Sequence, residues 1–519
     1  MKKIFNLFIG ALLLTTACTN LDETLYSEMS KDEFLASGDN LALYTSTPYT
    51  RLQEWAAEQG YWTLVLQLGN EMAVPKAWDG TWSEPRYTEL QTHNIPSNNK
   101  LVLQGWNYCF NGIAACNDAL YEIEKAGVSG DDANRTIAEI KVLRAYYYLM
   151  AIDLWGDVPY SVDKAATEYP KPKSRKEMYS FIETEINTNI SYLSEVPGAA
   201  TYGRVTQDVA RFILAKLYLN AKVYIGEEKW AEAADACLDI IKTGHFSLTA
   251  TYKENFEVYN ENSSEAIFAI PYSNIYTPKK FYIYVLTLNA DLEEVWQVSG
   301  TWTGSHMGQP DFLKSYEDGD TRLEDTWLFG DIYTTKGKRV QYQSKTQTNP
   351  ETGEVEPVYE DMFLEAFDIP ESKFKSGIDR TQGARIQKWT YQDGGILKDY
   401  SVSMENDFIL MRYSDVILMY AEALLRDGKA LDNYATDGIR HIRERAGLEM
   451  IQDIDLEKLF IERQHELALE GWVRNDLVRF DKYLDAWWAK PAGEEYMKLL
   501  PIPEEIRGSN TNLGQNEGY

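Results

Sequence analysis

The sequence predicts a mostly α-helical protein: helical pairs stacked into a scaffold that carries irregular insertions of loops and short strands. Three observations predict it. Apolar residues recur at helical spacing in several long segments. Two stretches, 61–100 and 245–405, lack that period and are rich in Gly, Tyr, Thr, Asn and Asp. And 519 residues exceed what one hydrophobic core usually organises, so several packed units are expected.

In chain order, the helical period predicts helices over roughly 38–60, 101–126, 132–155, 174–195, 206–224 and 229–243, and again over 411–427, 432–446 and 456–484. The scaffold is thus expected at about 38–60, 101–243 and 411–484. The two irregular stretches are expected grouped on one side of it, with short alternating runs such as Ala266-Ile267-Phe268-Ala269-Ile270 as strands. Segment 210–240 places small Ala215 and Ala221 beside large Leu217 and Tyr218, breaks at Gly226, then continues with Trp230 and Ala233-Ala234. Segment 418–442 repeats the plan with Ala421, Ala423, Gly428 and Ala435. Both resemble tetratricopeptide repeats, in which small residues let antiparallel helices approach and large ones fill the gap. Repeats of this kind support interaction rather than chemistry.

The N-terminus reads as an address. Lys2 and Lys3 precede an apolar run from Ile4 to Leu14, too short to span a bilayer, and Thr15-Thr16-Ala17 lead into Cys18. This resembles a bacterial lipoprotein signal, implying removal of 1–17 and acylation of Cys18. The acids Asp22 and Glu23 just beyond resemble the signal by which Bacteroidetes lipoproteins reach the outer face of the outer membrane. Cys109 and Cys116 fall on one helix seven residues apart, so their Cα atoms would lie about 10.5 Å apart, too far for a disulfide. With Cys237 they read as small buried hydrophobes. Five His without metal-ligand spacing predict no metal site, and no cofactor motif occurs.

Composition narrows the ligand. Lys plus Arg number 51 against 80 Asp plus Glu, a net charge of −29. That field repels phosphate backbones, so nucleic acid is a poor partner and a neutral ligand is expected. Aromatics are 13% of the chain, with 14 Trp and 35 Tyr, enough to furnish a binding surface as well as a core.

Five motifs occur in an order similar to that of the SusD/RagB family. RAYYYLMAIDLWGDVPY (144–160) resembles its hallmark helix and following turn, and GRVTQDVARFILAKLYL (203–219) its next helix start. DFLKSYEDGDTR (311–322) resembles its acidic turn. MRYSDVILMYAEALLRDG (411–428), IRHIRERAGL (439–448) and ERQHELALEGWVRNDLVRF (462–480) resemble its C-terminal block, and LLPIPEEIRGSNTNLGQNEGY (499–519) its ending. The resemblance covers essentially all of 18–519. It implies a surface lipoprotein that captures oligo- or polysaccharide and delivers it to a SusC-like TonB-dependent transporter. Within the family the alternatives are a RagB-type lid handling peptides or glycoprotein glycans, and a structural gate with little affinity of its own. A surface hydrolase is not expected: no carboxylate pair is singled out, and GxSxG, P-loop and GxGxxG motifs do not occur.

Read as physics, the charges of 462–480 are scaffolding. Glu466 with Glu470 and Glu470 with Arg474 have i,i+4 spacing, and Arg463, Arg474 and Arg479 can brace acids of neighbouring helices. Trp106, Trp155, Trp230 and Trp472 sit in helical patterns and read as core. Sugar recognition needs flat rings for C–H faces and polar rims for hydroxyls, best supplied by loops. Two places offer this. In KAWDGTWSEPRY (76–87), Trp78 and Trp82 flank Asp79, with Arg86 and Tyr87 behind; in VWQVSGTWTGSHM (295–307), Trp296 and Trp302 surround a small-residue turn. If these stretches converge, Trp82, Trp296 and Trp302 would form the platform and Asp79 and Arg86 its rim.

Overall fold

The computed structural model describes residues 41–519 except 58, 78–84, 165–167, 279, 282–285, 300–303, 390 and 392–403. The expected signal segment 1–17 and Cys18 lie outside the described residues.

The first half builds helices α1 (Leu41–Leu52), α2 (Tyr61–Gln67), strand β1 (Met72–Ala73), α3 (Pro85–Gln91), α4 (Lys100–Ala126), α5 (Asp131–Trp155), α6 (Arg175–Asn189), α7 (Gln207–Leu219) and α8 (Trp230–Thr243). The central region contributes β2 (Ala266–Ile270), the single turn α9 (Glu293–Trp296), β3 (Met307–Gly308), β4 (Gly330–Asp331), β5 (Gln341–Thr348), β6 (Val355–Asp361) and β7 (Phe363–Leu364). It closes with β8 (Phe408–Arg412), and the chain returns to helix in α10 (Tyr413–Arg426), α11 (Asn433–Arg445), α12 (Leu456–Glu466) and α13 (Val473–Arg479).

Local chemistry sets the helix ends. Asn99 caps α4 by accepting from the backbone N–H of Leu101 and Val102, and Gly127 ends it at φ 65°. Ser174 and Glu177 form a capping box on α6. Thr206, Asp432 and Asp455 cap α7, α11 and α12. The expected end of α5 also holds: Trp155 is fully buried, Gly156 terminates the helix, and the indole donates to the carbonyl of Pro501 at 3.2 Å.

The helices pack in pairs, α4 on α5, α5 on α6, α7 on α8, α8 on α10 and α10 on α11. Small residues permit the approach. Ala215, Ala221, Ala233, Ala421, Ala423 and Ala435 are buried, and a Cβ at Gly112 would stand 2.5 Å from the Tyr147 ring. The mostly α, tetratricopeptide-like scaffold is as the sequence predicts. Cys109, Cys116 and Cys237 are buried free thiols, and Trp106, Trp155, Trp230 and Trp472 are core.

Two local expectations fail. The helical pattern of 38–60 yields only α1, while α2 forms inside the stretch expected to be irregular. The segment 456–484 is not one helix: the chain turns between α12 and α13, with Leu469 at φ 65° and Gly471 at φ 88°. A Cβ on Gly471 would meet the Trp55 ring at 2.7 Å. The break separates the expected i,i+4 pairs. Glu470 instead binds Arg412 and Lys388, both at 2.8 Å, and Arg474 binds Asp153 at 2.7 Å.

These contacts belong to a buried ionic network. Arg412 reaches Glu466 at 2.6 Å and Glu265 at 3.0 Å, Arg445 joins the same two carboxylates, and Arg322 binds Asp320, Glu462 and Glu466. Arg463 and Arg479 share Glu422 and Asp476. Burial by itself would raise Glu466, but Arg445, Arg412 and Arg322 outweigh it and hold the carboxyl at about 2. A carboxyl held below its unfolded value stabilises the fold above that value and loses this contribution as pH falls through the folded one. Stability is therefore expected to decline between about pH 4.5 and about pH 2 as Glu466 is forced to protonate. Arg412→Met removes the cation shared by three buried carboxylates, Glu265, Glu466 and Glu470, and should cost about 3–5 kcal/mol. Chemical denaturation of parent and variant at neutral and acid pH measures both effects.

Candidate functional site

The flanks of the two tryptophan-bearing stretches meet. β1 pairs antiparallel with β3, Met72 opposite Gly308 and Ala73 opposite Met307. Just before the ladder, the carbonyl of Glu71 accepts from the N–H of Gln309 at 2.9 Å. Beyond it, Lys76 is pinned by backbone bonds to Phe374 and Ile378, and Gly308 donates to Ala384 at 3.0 Å. On the far side of the first stretch, the Tyr87 ring meets His306 edge-on, centroids 5.0 Å apart. Burial lowers His306 to about 3, so its imidazole is neutral at physiological pH and packs as an aromatic ring.

Of the residues singled out in sequence, Trp78, Asp79, Trp82 and Trp302 lie outside the described residues. Arg86 holds its guanidinium 5.2 Å from the Tyr87 ring centroid. Its backbone carbonyl accepts from Asn99, the cap of α4. Tyr87 is 1% exposed, and Trp296 is 7% exposed with its ring 4.4 Å from that of Tyr391. Both rings face protein, so in this structure Tyr87 and Trp296 support the stretches rather than offer an open face.

A second feature was not legible as a site. Gln104, Asn107 and Asn111 recur along α4 at i, i+3 and i+7, which puts them on one face. Together with Gln59, and with Tyr108 behind them, they line a cleft of about 470 Å³ between α1 and α4. An ion pair between Lys280 and Glu54 closes one side. Amides supply donors and acceptors without net charge, which suits hydroxyls. Near Lys280 the chain projects a turn whose Ile275 and Tyr276 are 73% and 86% exposed. The turn is held: Ser273 donates its N–H to the Thr277 hydroxyl at 2.7 Å and Tyr272 to Asp407 at 3.0 Å. A sequence search built on tryptophan passes over Tyr276, and the amide spacing reads equally as a solvated helix face.

Among the described residues, no group of three or more His, Cys, Asp or Glu could hold a metal ion. No described helix is long and apolar enough to cross a membrane.

Comparison with known proteins gives a consistent picture. Residues 243–519 match the model of the SusD family, and residues 21–219 match one described as "starch-binding associating with outer membrane". The chain is 27% identical to the starch-binding protein SusD of Bacteroides thetaiotaomicron over 476 residues, 85% of this chain and 82% of the relative. Surface glycan-binding protein A of Bacteroides uniformis superposes with a TM-score of 0.73 at 19% identity, over 92% of this chain and 99% of that one. Its Bacteroides thetaiotaomicron counterpart in complex with laminarihexaose gives 0.72 at 19% identity, over the same shares.

If Tyr87 supports the site from below, Tyr87→Ala removes a buried aromatic, and the expected loss is about 3–5 kcal/mol in stability. Thermal melting of the purified variant measures it; an unchanged melting temperature would return Tyr87 to the set of open ligand contacts.

Proposed function

The chain belongs to the SusD family, and from that premise we propose that it is a cell-surface lipoprotein that captures a neutral oligo- or polysaccharide and passes it to a SusC-like TonB-dependent transporter. The observation that carries the proposal is the meeting of the two tryptophan-bearing stretches at the β1–β3 ladder and the Tyr87–His306 contact. Residues 78–84 and 300–303 leave from stems that are already side by side, so Trp82, Trp302 and Trp78 can serve one platform, with Asp79 and Arg86 at its rim. The buried Trp296 and Tyr87 anchor the stems of the two stretches. The amide-lined cleft and Tyr276 supply further hydroxyl and ring contacts.

The relatives support the ligand class. One is named for starch, another was solved with laminarihexaose, and the match over 21–219 is to a starch-binding, outer-membrane-associated family. The role is binding without catalysis. Attachment is through acylated Cys18 at the outer face of the outer membrane, after removal of residues 1–17.

Stacking on an open Trp face contributes on the order of 1–2 kcal/mol, so Trp82→Ala and Trp302→Ala should each weaken binding roughly five- to thirtyfold. A neutral ligand releases no counterions, so affinity should change little between low and high salt. Calorimetry with laminarin and starch oligosaccharides reads both; unchanged affinity in the double variant would move the site, and a steep salt slope would remove the neutral ligand. Separately, Cys18→Ala should leave the protein unlipidated and detached, measured by surface labelling of intact cells. Equal labelling of variant and parent would refute the anchor.

A further inference from the structure

The central region builds a small sheet whose outer face has no role in the site described above. Three segments meet where Ile332 donates its N–H to Met362 O at 3.2 Å, Val340 to Ile332 O at 3.0 Å and Met362 to Val340 O at 2.8 Å. The side chains of Ile332, Val340 and Met362 are fully buried, so they define the inner face. Strand alternation then sends their neighbours outward. Phe363 stands opposite Asp331, Tyr333 opposite Arg339, Gln341 opposite Asp361, and Gln343 opposite Tyr359. Three rings are thereby exposed on one face: Tyr333 by 50%, Tyr359 by 57% and Phe363 by 49%.

The face is patterned. Asp361 stands between Tyr359 and Phe363 on their strand line, with Gln341 donating to it at 2.9 Å. Arg339 reaches Asp331 at 2.6 Å and the Tyr333 hydroxyl at 3.1 Å, and lies 5.0 Å from the Tyr333 ring centroid. A protein interface collects its apolar groups into a contiguous core ringed by polar ones. Here each ring is set apart from the next by an amide, carboxylate or guanidinium group, which is the alternation of C–H faces and hydroxyls along a sugar chain. Tyr359 and Phe363, four residues apart, span about 13 Å along the strand, so the face suits an extended ligand. Arg339 is already paired with Asp331, and the chain carries −29, which disfavours an anionic occupant. The sheet is also fixed to the body: Thr335 donates to Val295 O at 3.0 Å, and Lys338 binds Glu294 at 2.5 Å.

We propose that the outer face carrying Tyr333, Tyr359 and Phe363 is a second contact surface for a neutral glycan chain, engaging polymer that extends beyond the tryptophan platform. The proposal rests on the glycan-binding function above. A second subsite on the same molecule strengthens binding only of ligands long enough to reach both. The test compares polymers with short oligomers: laminarin beside laminarihexaose, and soluble starch beside maltohexaose, titrated against the full chain. In the triple variant Tyr333→Ala, Tyr359→Ala, Phe363→Ala, affinity for the polymer should fall on the order of tenfold while affinity for the hexasaccharide stays within about twofold. Hexasaccharide binding also reports that the variant is folded, and Tyr359→Ala alone, the most exposed of the three rings, should show a smaller polymer-specific loss. Parent-like polymer affinity in a variant that still binds hexasaccharide would overturn the proposal and leave the tryptophan site standing. The same holds if the variant keeps its polymer affinity but loses co-purification with the transporter, which would assign the face to a protein partner. A parent chain that binds none of the four probes would overturn the glycan-binding function and this surface with it.

Discussion

The buried arginine–carboxylate network is the constraint on which the rest of the structure depends. An ion taken out of water costs several kcal/mol unless partners replace its solvation, so each of these charges demands its counterpart at close range. The counterparts are far apart in sequence. Arg412 lies on β8, Glu265 just before β2, Glu466 at the end of α12, and Arg445 at the end of α11. Satisfying them together fixes where the central insertion leaves the scaffold and where it returns. The β2–β8 ladder, with Ile270 opposite Phe408 and Ala266 opposite Arg412, lies directly on this knot. An apolar core of equal volume could hold the same elements, but would tolerate more registers than a set of bidentate ion pairs does.

The network also reaches the candidate site. Glu470 pairs with Arg412 and Lys388, and in the same turn the N–H of Leu469 donates to the Glu71 carboxylate at 3.1 Å. Burial pushes Glu71 up to about 8, so it is held mostly protonated at neutral pH and adds no unpaired negative charge to the interior. Its backbone carbonyl accepts from Gln309, the residue after β3. A continuous path of bonds thus runs from the ionic knot through the α12–α13 turn to the stems of both tryptophan-bearing stretches. That path explains why a helix through 456–484 would not serve. The turn at Leu469 and Gly471 is what presents the Leu469 N–H to Glu71 and gives Trp62 the Leu469 carbonyl to bind, at 2.6 Å.

This is also where sequence reasoning stops. The small-residue spacing of α7, α8 and α10, and the scaffolding role of Arg463, Arg474 and Arg479, are local or composition-level signals, and they were legible. The α12–α13 break was not, because a left-handed leucine has no sequence signature and is imposed by tertiary contacts. Nor was the burial of Tyr87 and Trp296: a ring on an irregular segment can anchor that segment or face a ligand, and only the His306 and Tyr391 contacts decide between them. The outward row of the central sheet escaped for a different reason. Gln341-Tyr342-Gln343-Ser344-Lys345-Thr346 shows almost no apolar–polar contrast, so alternation cannot be seen until Val340, Ile332 and Met362 reveal which side is inside.

The division of charge within the molecule bears on what it can hold. With 51 basic and 80 acidic residues, cations are the scarcer resource, and many of the arginines are consumed internally. Arg322, Arg412, Arg445, Arg463, Arg474 and Arg479 are all buried against carboxylates or nearly so. The described parts of the candidate site carry amides on α4, the exposed Tyr276 and a Lys280 already paired with Glu54, and the proposed second surface carries Tyr333, Tyr359 and an Arg339 paired with Asp331. A polyanion approaching these surfaces would meet the acid excess of the chain, and at Lys280 and Arg339 it would have to break ion pairs to bind. A neutral, hydroxylated chain meets no such barrier, because rings and amides engage it without displacing any charge. Because the buried arginines are matched by buried carboxylates, the acid excess of the chain stays on its surface, which is the setting the neutral ligand proposed above requires.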